Sequence, residues 1–329
     1  MVKYIILSNE QQWCTNCWKA AVDNDKVRFI ETQLPFDKKS FLYKVAFRHL
    51  RFKSRSAVLL PFVSIWHRSF EKNLHIDDSV KTVLVVYDWN TLTKDLEFFL
   101  YLKRRHKNLS IVYLFSNIVA ISGATYYKIA DKLNKVFDIV FAFDGEDAIK
   151  RNFEYSPLIY TTDIKIPQIS EETENDLFYL GMAKDRYDAL IEIYENATKE
   201  GLKCDFTIVG VPTEKQIHTD KIKYSPVAYD VAIEGMKKAK CIVDVIQGNS
   251  TGLTIKNCEA LAFDRKLLTT NTNVREVDFY HPENICIYTA GMSIKHFIET
   301  PFVRYTQNEK SYFSPYRLFE KIERILRLG

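Results

Sequence analysis

The sequence predicts an α/β fold with two doubly wound parallel sheets, and three observations support this class. The chain has 329 residues, enough for two domains of ordinary size. Its hydrophobic fraction of 47% and aromatic fraction of 14% are typical of a globular protein with sizeable cores. Short apolar runs alternate with segments of helical spacing in both halves, which is the rhythm of parallel strands joined by crossover helices.

The first half contains five predicted strands. They cover residues 3–8, 27–32, 81–87, 110–115 and 138–143, with helices expected at 93–105 and 124–136. In an open parallel sheet, ligands gather at the loops that follow the carboxyl ends of the strands. Polar residues follow four of these ends, and we expect them to face one potential cleft: Glu10, Asp88, Asn117 and Asp144.

The second half repeats the alternation after a predicted linker at 160–175, where several acids combine with little periodicity. Strands are expected at 177–180, 205–209, 222–224, 241–246, 267–270 and 285–288. A helix follows Gly181, and Gly201 is suited to end that helix in a left-handed conformation. Further helices are predicted at 229–238 and, with amphipathic spacing, at 312–328.

Charge and cysteine content favour a cytoplasmic protein that does not bind nucleic acid. The net charge is +4, far from the bias of a dedicated nucleic-acid-binding protein. The opening MVKYIILSNE has too short an apolar run for a secretory signal, and no window approaches the roughly 18 uncharged residues of a membrane span. Four of the six cysteines lie in or beside apolar patterns, where a reduced thiol acts as a small hydrophobe.

No metal site is predicted. Cys14 and Cys17 form a CxxC pair, which we interpret as packing at the start of a helix because no second cysteine pair or histidine cluster has ligand spacing. The seven histidines are scattered, and no DxD-type acidic motif stands out at a strand end.

Residues 37–75 form a basic and aromatic stretch. Nine lysines and arginines face only Asp37 and Glu71, so the local net charge is +7 (nine minus two). Seven aromatic residues are interleaved with them. Such a pattern attracts anionic lipid headgroups and seats rings at the interface, so residues 38–72 are predicted to contact an anionic membrane surface. The alternative is a solvated basic face over ordinary core aromatics.

Residues 251–271, TGLTIKNCEALAFDRKLLTTN, are predicted to form a loop, a helix and a strand after an apolar strand. Gly252 is expected to open the helix, with Glu259 one or two turns inside it. The unpaired N–H groups and partial positive charge of a helix N-terminus can hold a phosphate. The structural alternative is a buried crossover whose Glu259 pairs with Lys256 or Arg265.

The residues Gly252-Leu253-Thr254, Glu259-Ala260-Leu261 and the run KLLTTN at 266–271 resemble the nucleotide-sugar-binding segment of GT-B glycosyltransferases. The resemblance is closest to members found with bacterial capsule, O-antigen and exopolysaccharide synthesis, and it extends over roughly residues 176–290. It also includes FYLG at 178–181, KDRY at 184–187, the run at 205–210, and DFY at 278–280 before Pro282 and Asn284.

Many retaining members carry an acid eight residues before the helix glutamate, where this chain has Thr251. Gly252 lies seven residues before that glutamate, a longer gap than the common motif has. Both departures leave the choice between inverting and retaining chemistry open.

The resemblance implies two Rossmann-like domains that face a cleft. An acceptor-binding domain is expected at 1–162, a nucleotide-sugar-binding domain at 163–310, and a C-terminal helix at 311–329 that packs back on the first domain. It also implies transfer of one sugar from a nucleotide-diphosphate sugar to a hydroxyl of a glycan, with no metal ion or other cofactor. The expected acceptor is a polyprenyl-linked surface polysaccharide intermediate at the inner face of the plasma membrane.

The site residues follow from the same resemblance combined with strand-end positions. The donor diphosphate is assigned to Lys184, Arg186, Thr251, Gly252, Leu253 and Thr254. The nucleoside is assigned to Tyr224, Pro226, Val227 and Glu259, and the donor sugar to Gln247, Asn249 and Ser250. An inverting reaction needs a base for the acceptor hydroxyl, for which Glu10 is the first candidate and Asp88 and Asp144 are the others.

Two other functions fit the same pattern. A nucleotide-sugar epimerase on this fold would convert the donor without an acceptor. A catalytically silent partner of another transferase would bind nucleotide without hydrolysis or transfer. This function stays open because Thr251 stands where many retaining members carry an acid.

Overall fold

The computed structural model describes residues 2–8, 12–31, 36–37, 39–56, 63–88, 95–119, 130–162, 173–217, 219, 221–248 and 250–328. These residues form two compact units. The first comprises Met1–Pro157 and Leu318–Gly329, and the second comprises Leu158–Arg317.

The first unit is built on a six-stranded parallel sheet. Its strands are β1 (Val2–Ser8), β2 (Val27–Glu31), β3 (Lys81–Tyr87), β4 (Leu109–Leu114), β5 (Ile139–Ala142) and β6 (Glu154–Tyr155), in the spatial order β2-β1-β3-β4-β5-β6. Every described pairing is parallel. The central strands are buried on both faces, which explains why residues 81–87 form a continuous apolar run rather than an alternating one.

Helices cover this sheet. They are α1 (Gln12–Val22), α2 (Phe41–Ser56), α3 (Val63–Leu74), α4 (Leu96–Arg105) and α5 (Gly145–Arg151). Phe98 and Phe99 of α4 are fully buried against Tyr113 and Phe137 in the core. The five predicted strands and the helix predicted at 93–105 are therefore present, whereas residues 124–129 of the helix predicted at 124–136 lie outside the described residues. The helices α2 and α3 are additional, in the stretch where only basic and aromatic character was predicted.

The second unit contains another six-stranded parallel sheet. Its strands are β7 (Asn175–Met182), β8 (Cys204–Val209), β9 (Ile222–Lys223), β10 (Ala239–Asp244), β11 (Lys266–Thr269) and β12 (Ile285–Ile287), in the order β12-β11-β10-β7-β8-β9. The α-helices described here are α6 (Tyr187–Lys199), α7 (Tyr229–Lys237), α8 (Ile255–Ala262), α9 (Ile294–Glu299) and α10 (Gln307–Lys310). Gly201 follows α6 with a φ of +80°, as its predicted terminating role requires.

The last helix, α11 (Pro315–Leu326), packs on the first unit. The ring of Phe319 stacks on Tyr4 of β1 at a centroid distance of 4.0 Å and on Trp18 of α1 at 5.8 Å. The Tyr4 hydroxyl donates to Glu323 at 2.8 Å. These contacts confirm the predicted return of the C-terminal helix.

Each sheet has a topological switch point, where consecutive crossovers leave in opposite directions. The order of the first sheet puts this point between β1 and β3, and the order of the second puts it between β7 and β10. Ligands of open α/β sheets bind outside the carboxyl ends of the strands at such points. The loop after β7 is described, and so is the loop after β10 except for residue 249, whereas residues 9–11 and 89–94 lie outside the described residues.

One predicted boundary is wrong. Gly252 was expected to open a helix, but α8 begins at Ile255 with Thr254 as its N-cap. The Thr254 side chain accepts from the backbone N–H of Lys256, so the helix starts where a hydroxyl is available to cap it. Among the described residues, no helix is both long and apolar enough to cross a membrane.

Candidate nucleotide-binding site

The loops after β7 and β10 meet at the switch point of the second sheet. The Lys184 ammonium donates to the side-chain oxygen of Gln247 at 2.6 Å, and the Asp185 carboxylate accepts from the backbone N–H of Gly248 at 2.8 Å. These contacts bring predicted residues from two distant segments together. Lys184 and Gln247 were assigned to the donor diphosphate and the donor sugar, respectively, and they lie side by side.

Lys184 is held in an unusual conformation. Its φ is +48°, in the left-handed region that a side chain other than glycine seldom adopts. Desolvation, followed by the nearby Arg186 charge, lowers the pKa of its ammonium below the usual value for lysine. A strained backbone that keeps a cation at the switch point is typical of functional sites.

Arg186 connects the two loops through backbone carbonyls. Its guanidinium donates to Val245 at 3.0 Å, to Met182, and to Ala183 at 3.5 Å. Three of its five N–H groups are therefore engaged within the fold. Its assignment to the diphosphate remains a prediction, and its observed contacts position the loop after β7 against the end of β10.

A buried carboxylate, Asp244, organises the start of α8. It is the last residue of β10 and only 2% exposed. Its Oδ1 accepts from the Thr254 hydroxyl at 2.9 Å, and its Oδ2 accepts from Asn257 at 3.1 Å and from Thr269 at 3.0 Å. Burial raises the pKa of Asp244, while these three donors and the Arg186 charge act in the opposite direction.

The intervening loop, residues 245–254, is also held by asparagines from the segment after β11. Asn271 donates to the carbonyl of Gly252 at 3.0 Å, and Asn273 donates to that of Thr251 at 3.3 Å. The side chain of Leu253 is buried in the core. The predicted diphosphate residues of this loop thus have fixed backbone positions. Ser250 is buried and its N–H donates to Gln247, whereas Asn249 lies outside the described residues.

Glu259 is fully buried and forms an ion pair with Lys256, one of the two partners that the structural alternative predicted. One carboxylate oxygen lies 2.7 Å from the Lys256 ammonium, and the other accepts from the Tyr229 hydroxyl at 2.8 Å. Tyr229 in turn lies 3.2 Å from the hydroxyl of Tyr160, and burial raises its pKa. A ribose contact for Glu259 remains a prediction, because ribose hydroxyls would join or replace these partners.

The other predicted nucleoside residues separate into two groups. Pro226 and Val227 are exposed in the loop just before Tyr229, so the Tyr229–Glu259 hydrogen bond links this loop to α8. Tyr224 points elsewhere, since its hydroxyl lies 3.2 Å from that of Tyr187 and accepts from the N–H of Ile217 at 3.1 Å. Burial and the Tyr187 hydrogen bond raise the pKa of Tyr224 to about 12.

In the first unit, the candidate bases have different surroundings. Asp88 follows β3 at the switch point, is buried, and accepts from the Ser116 hydroxyl at 2.7 Å. Asp144 caps α5 by accepting from the N–H groups of Glu146 at 3.1 Å and Asp147 at 3.2 Å. Glu10 comes two residues after the end of β1 in the sequence and lies outside the described residues.

The basic stretch divides between core and surface. Trp66, Phe70 and Tyr43 pack in or against the core of the first unit. The outer face of α2 instead exposes Phe41 (77%) and Leu42 (50%). Exposed basic residues flank them, including Lys39, Lys44 and Arg48. The side chains of residues 49–56 and 63–65 lie outside the described part of the chain.

Within the described residues, no group of three or more histidine, cysteine, aspartate or glutamate side chains has a metal-binding arrangement. Cys17 is buried in α1, and the side chain of Cys14 lies outside the described part.

Sequence analysis missed Asp244, Tyr229 and Asn271. Asp244 carried a usable signal, because an acid inside the apolar run CIVDVI must be exposed at a strand end or buried with donors. Tyr229 and Asn271 carried none, since their roles depend on partners brought together by the fold.

Comparison with known proteins supports the fold. No protein-family model matches the chain, and no curated protein matches it significantly. One similar solved structure is an α-glucosyltransferase in complex with UDP and a 13-mer DNA containing an HMU base. The two chains share 10% identity, the match covers 99% of each, and the TM-score is 0.64.

Two further structures give lower scores. AviGT4, a glycosyltransferase involved in avilamycin A biosynthesis, has 10% identity over 71% of this chain and 89% of that one, with a TM-score of 0.44. The Gap123 glycosylation-associated complex of Streptococcus agalactiae has 10% identity over 80% of this chain and 56% of that one, with a TM-score of 0.46. The α-glucosyltransferase match and the two parallel sheets confirm the predicted fold of two Rossmann-like units, the architecture of GT-B glycosyltransferases.

Proposed function

We propose that this chain is a glycosyltransferase that binds a nucleotide-diphosphate sugar at the switch point of its second unit. One observation carries the proposal. At that point the Lys184 ammonium lies beside the Gln247 side chain, and the loop that contains Gln247 ends at the capped N-terminus of α8. A cation and helix N–H groups together are suited to stabilise the negative charge of a leaving diphosphate. A chain with the same fold, the α-glucosyltransferase, was solved with UDP.

The parts of the donor are assigned from this geometry. Lys184 and the backbone of residues 251–254 hold the diphosphate, Gln247 and Ser250 contact the sugar, and the Pro226–Val227 loop with Glu259 holds the nucleoside. Protein cations and the helix N-terminus take the role that a metal ion has in other transferases, so we propose that transfer proceeds in the presence of a chelator. The acceptor is assigned to the first unit, with Glu10 as the base if the reaction inverts configuration.

We also propose that the acceptor is a lipid-linked surface glycan, reached from the cytoplasmic face of a membrane. The support is the outer face of α2, where Phe41 and Leu42 are exposed among basic residues. Exposed rings beside lysines and arginines favour contact with anionic headgroups.

The donor assignment is tested by binding. Isothermal titration with UDP, GDP, CDP, dTDP and their sugars should give saturable binding to the wild type. Lys184→Ala should weaken diphosphate binding about tenfold, as expected for the loss of one charge-assisted contact. Lys199→Ala replaces an exposed lysine in the last turn of α6 and should leave diphosphate binding unchanged. Absence of binding across the panel would overturn the proposal.

Turnover assays with the ligand that binds then separate the alternatives. Conversion of the donor without an acceptor would indicate an epimerase. Binding without hydrolysis or transfer would indicate a silent partner subunit.

The membrane assignment is tested by flotation with phosphatidylcholine vesicles, with and without added phosphatidylglycerol. The wild type should float only with the anionic lipid and should be released by salt. Phe41→Ser with Leu42→Ser should abolish flotation, whereas Ile149→Ser should not, although Ile149 of α5 is 86% exposed. Equal flotation of the two variants would show that Phe41 and Leu42 of α2 do not contact the membrane.

A further inference from the structure

We propose that Asp244 is a positioning residue for the donor diphosphate: its carboxylate fixes the hydroxyl of Thr254 and thereby the N-terminus of α8. This inference rests on the proposed function and deepens it. Asp244 ends the strand from which the 245–254 loop departs, and Thr254 is the residue where that loop returns. The single hydrogen bond between them, at 2.9 Å, therefore closes the loop at its base.

The direction of this hydrogen bond has a consequence for Thr254. A threonine hydroxyl has one proton, and here it is donated to Asp244. The lone pairs of the same oxygen are thus directed to the donors around it, which are the N–H of Lys256 at 3.1 Å and the Asn257 amide at 3.3 Å. Thr254 accordingly serves as the helix cap, and its hydroxyl proton is already donated to Asp244 and not to a phosphate.

Two more hydrogen bonds show that the carboxylate is built into this position. Asn257, one turn into α8, and Thr269, the last residue of β11, both donate to its second oxygen and are essentially inaccessible to solvent. An ionised carboxylate only accepts hydrogen bonds, so it requires all three partners to point their donors inward. A fully enclosed carboxylate carries a desolvation penalty. Its placement at the switch point is best explained by its hydrogen bonds, which fix the position of the Thr254 cap and of the loop that ends there.

The test is a double-mutant cycle read out by the binding of inorganic pyrophosphate and of the nucleoside diphosphate that binds the wild type best. Asp244→Ala and Thr254→Val should each weaken pyrophosphate and diphosphate binding about tenfold, because the N–H groups in the first turn of α8 lose the cap that fixes their positions. Because both substitutions remove the hydrogen bond between Thr254 and Asp244, through which the carboxylate is proposed to act, the double variant should lose little more affinity than either single variant. Thr254→Ser keeps the hydroxyl and should bind like the wild type.

A destabilised control separates positioning from general loss of structure. Asn284→Ala removes a buried bridge to Val303 at the start of β12, away from the carboxyl ends of the strands. It should lower the melting temperature but leave pyrophosphate affinity unchanged. Affinity for the corresponding nucleoside, which lacks phosphate, should be unaffected in every variant of the cycle.

The outcomes are distinguishable. If the wild type binds neither pyrophosphate nor any nucleoside diphosphate, the proposed function fails and this inference fails with it. If the wild type binds but Thr254→Val binds equally well, only the role of Asp244 is overturned. A double variant whose fold-loss of pyrophosphate affinity equals the product of the two single losses would also overturn it. Should Asp244→Ala not fold, the comparison of Thr254→Val with Thr254→Ser still gives the result.

Discussion

Replacing Glu10 with glutamine is expected to reduce sugar transfer by about a hundredfold or more, without changing donor affinity. Glu10 follows β1, the strand beside the switch point of the first sheet, and a positioned base typically contributes about 10² to 10⁴ in rate. The amide cannot accept the proton of the acceptor hydroxyl. Steady-state kinetics with donor and acceptor varied separately, together with titration of the nucleotide, check this.

Asp144→Asn is the matched control, because the Asp144 carboxylate caps α5. Because asparagine caps a helix about as well as aspartate, this variant should change stability by less than about 1 kcal/mol and leave the rate at saturating substrate unchanged. A Glu10→Gln enzyme with wild-type turnover would contradict the assignment and would point to a mechanism that needs no base, as retaining transfer does. Loss of rate in Asp88→Asn alone would move the role to the other acid at this switch point.

Replacing Lys256 with methionine is expected to destabilise the protein by about 3 kcal/mol. Its ammonium lies 2.7 Å from Glu259, whose side chain has 0% exposure. Removing one member of a buried ion pair leaves an uncompensated charge in a medium of low polarity, which typically costs about 3–5 kcal/mol. Urea unfolding followed by circular dichroism gives the free energy of unfolding directly.

Two comparisons isolate the buried charge as the cause. In Lys295→Met the lost partner, Glu299, is 63% exposed, so the change should be below about 1 kcal/mol. The double variant Lys256→Met/Glu259→Gln should recover most of the lost stability, because no isolated charge remains. Equal stability of Lys256→Met and wild type would show that Glu259 does not depend on this ion pair.

The sequence was most informative where burial is complete. Residues 81–87 were predicted as a strand and are β3, because a central strand with both faces covered needs apolar residues throughout. The strand β6, Glu154–Tyr155, was not predicted, since both residues are exposed and no apolar run marks it. Nor was α2 expected as a helix, because residues 37–75 were interpreted by their charge and aromatic content and not by the spacing of their apolar residues.

Strand ends located the candidate site, but the sequence did not supply its internal contacts. Lys184 and Gln247 were both predicted because each follows a strand, and the fold makes them neighbours. Asp244, by contrast, was treated as part of an apolar run, and its three donors come from the N-terminus of α8 and the end of β11. The pairing of Glu259 with Lys256 was foreseeable from helical spacing, whereas its hydrogen bond to Tyr229 depends on how α7 packs.

Hydrogen–deuterium exchange of the full chain, with and without a saturating nucleoside diphosphate, tests the location of the donor site most directly. We expect slower exchange of backbone amides in 183–186, in 245–254 and in the first turn of α8, with smaller changes around Pro226–Val227. Slower exchange confined to the loops of the first sheet, or to α2 and α3, would contradict it, because the diphosphate would then be bound somewhere other than the β7–β10 switch point.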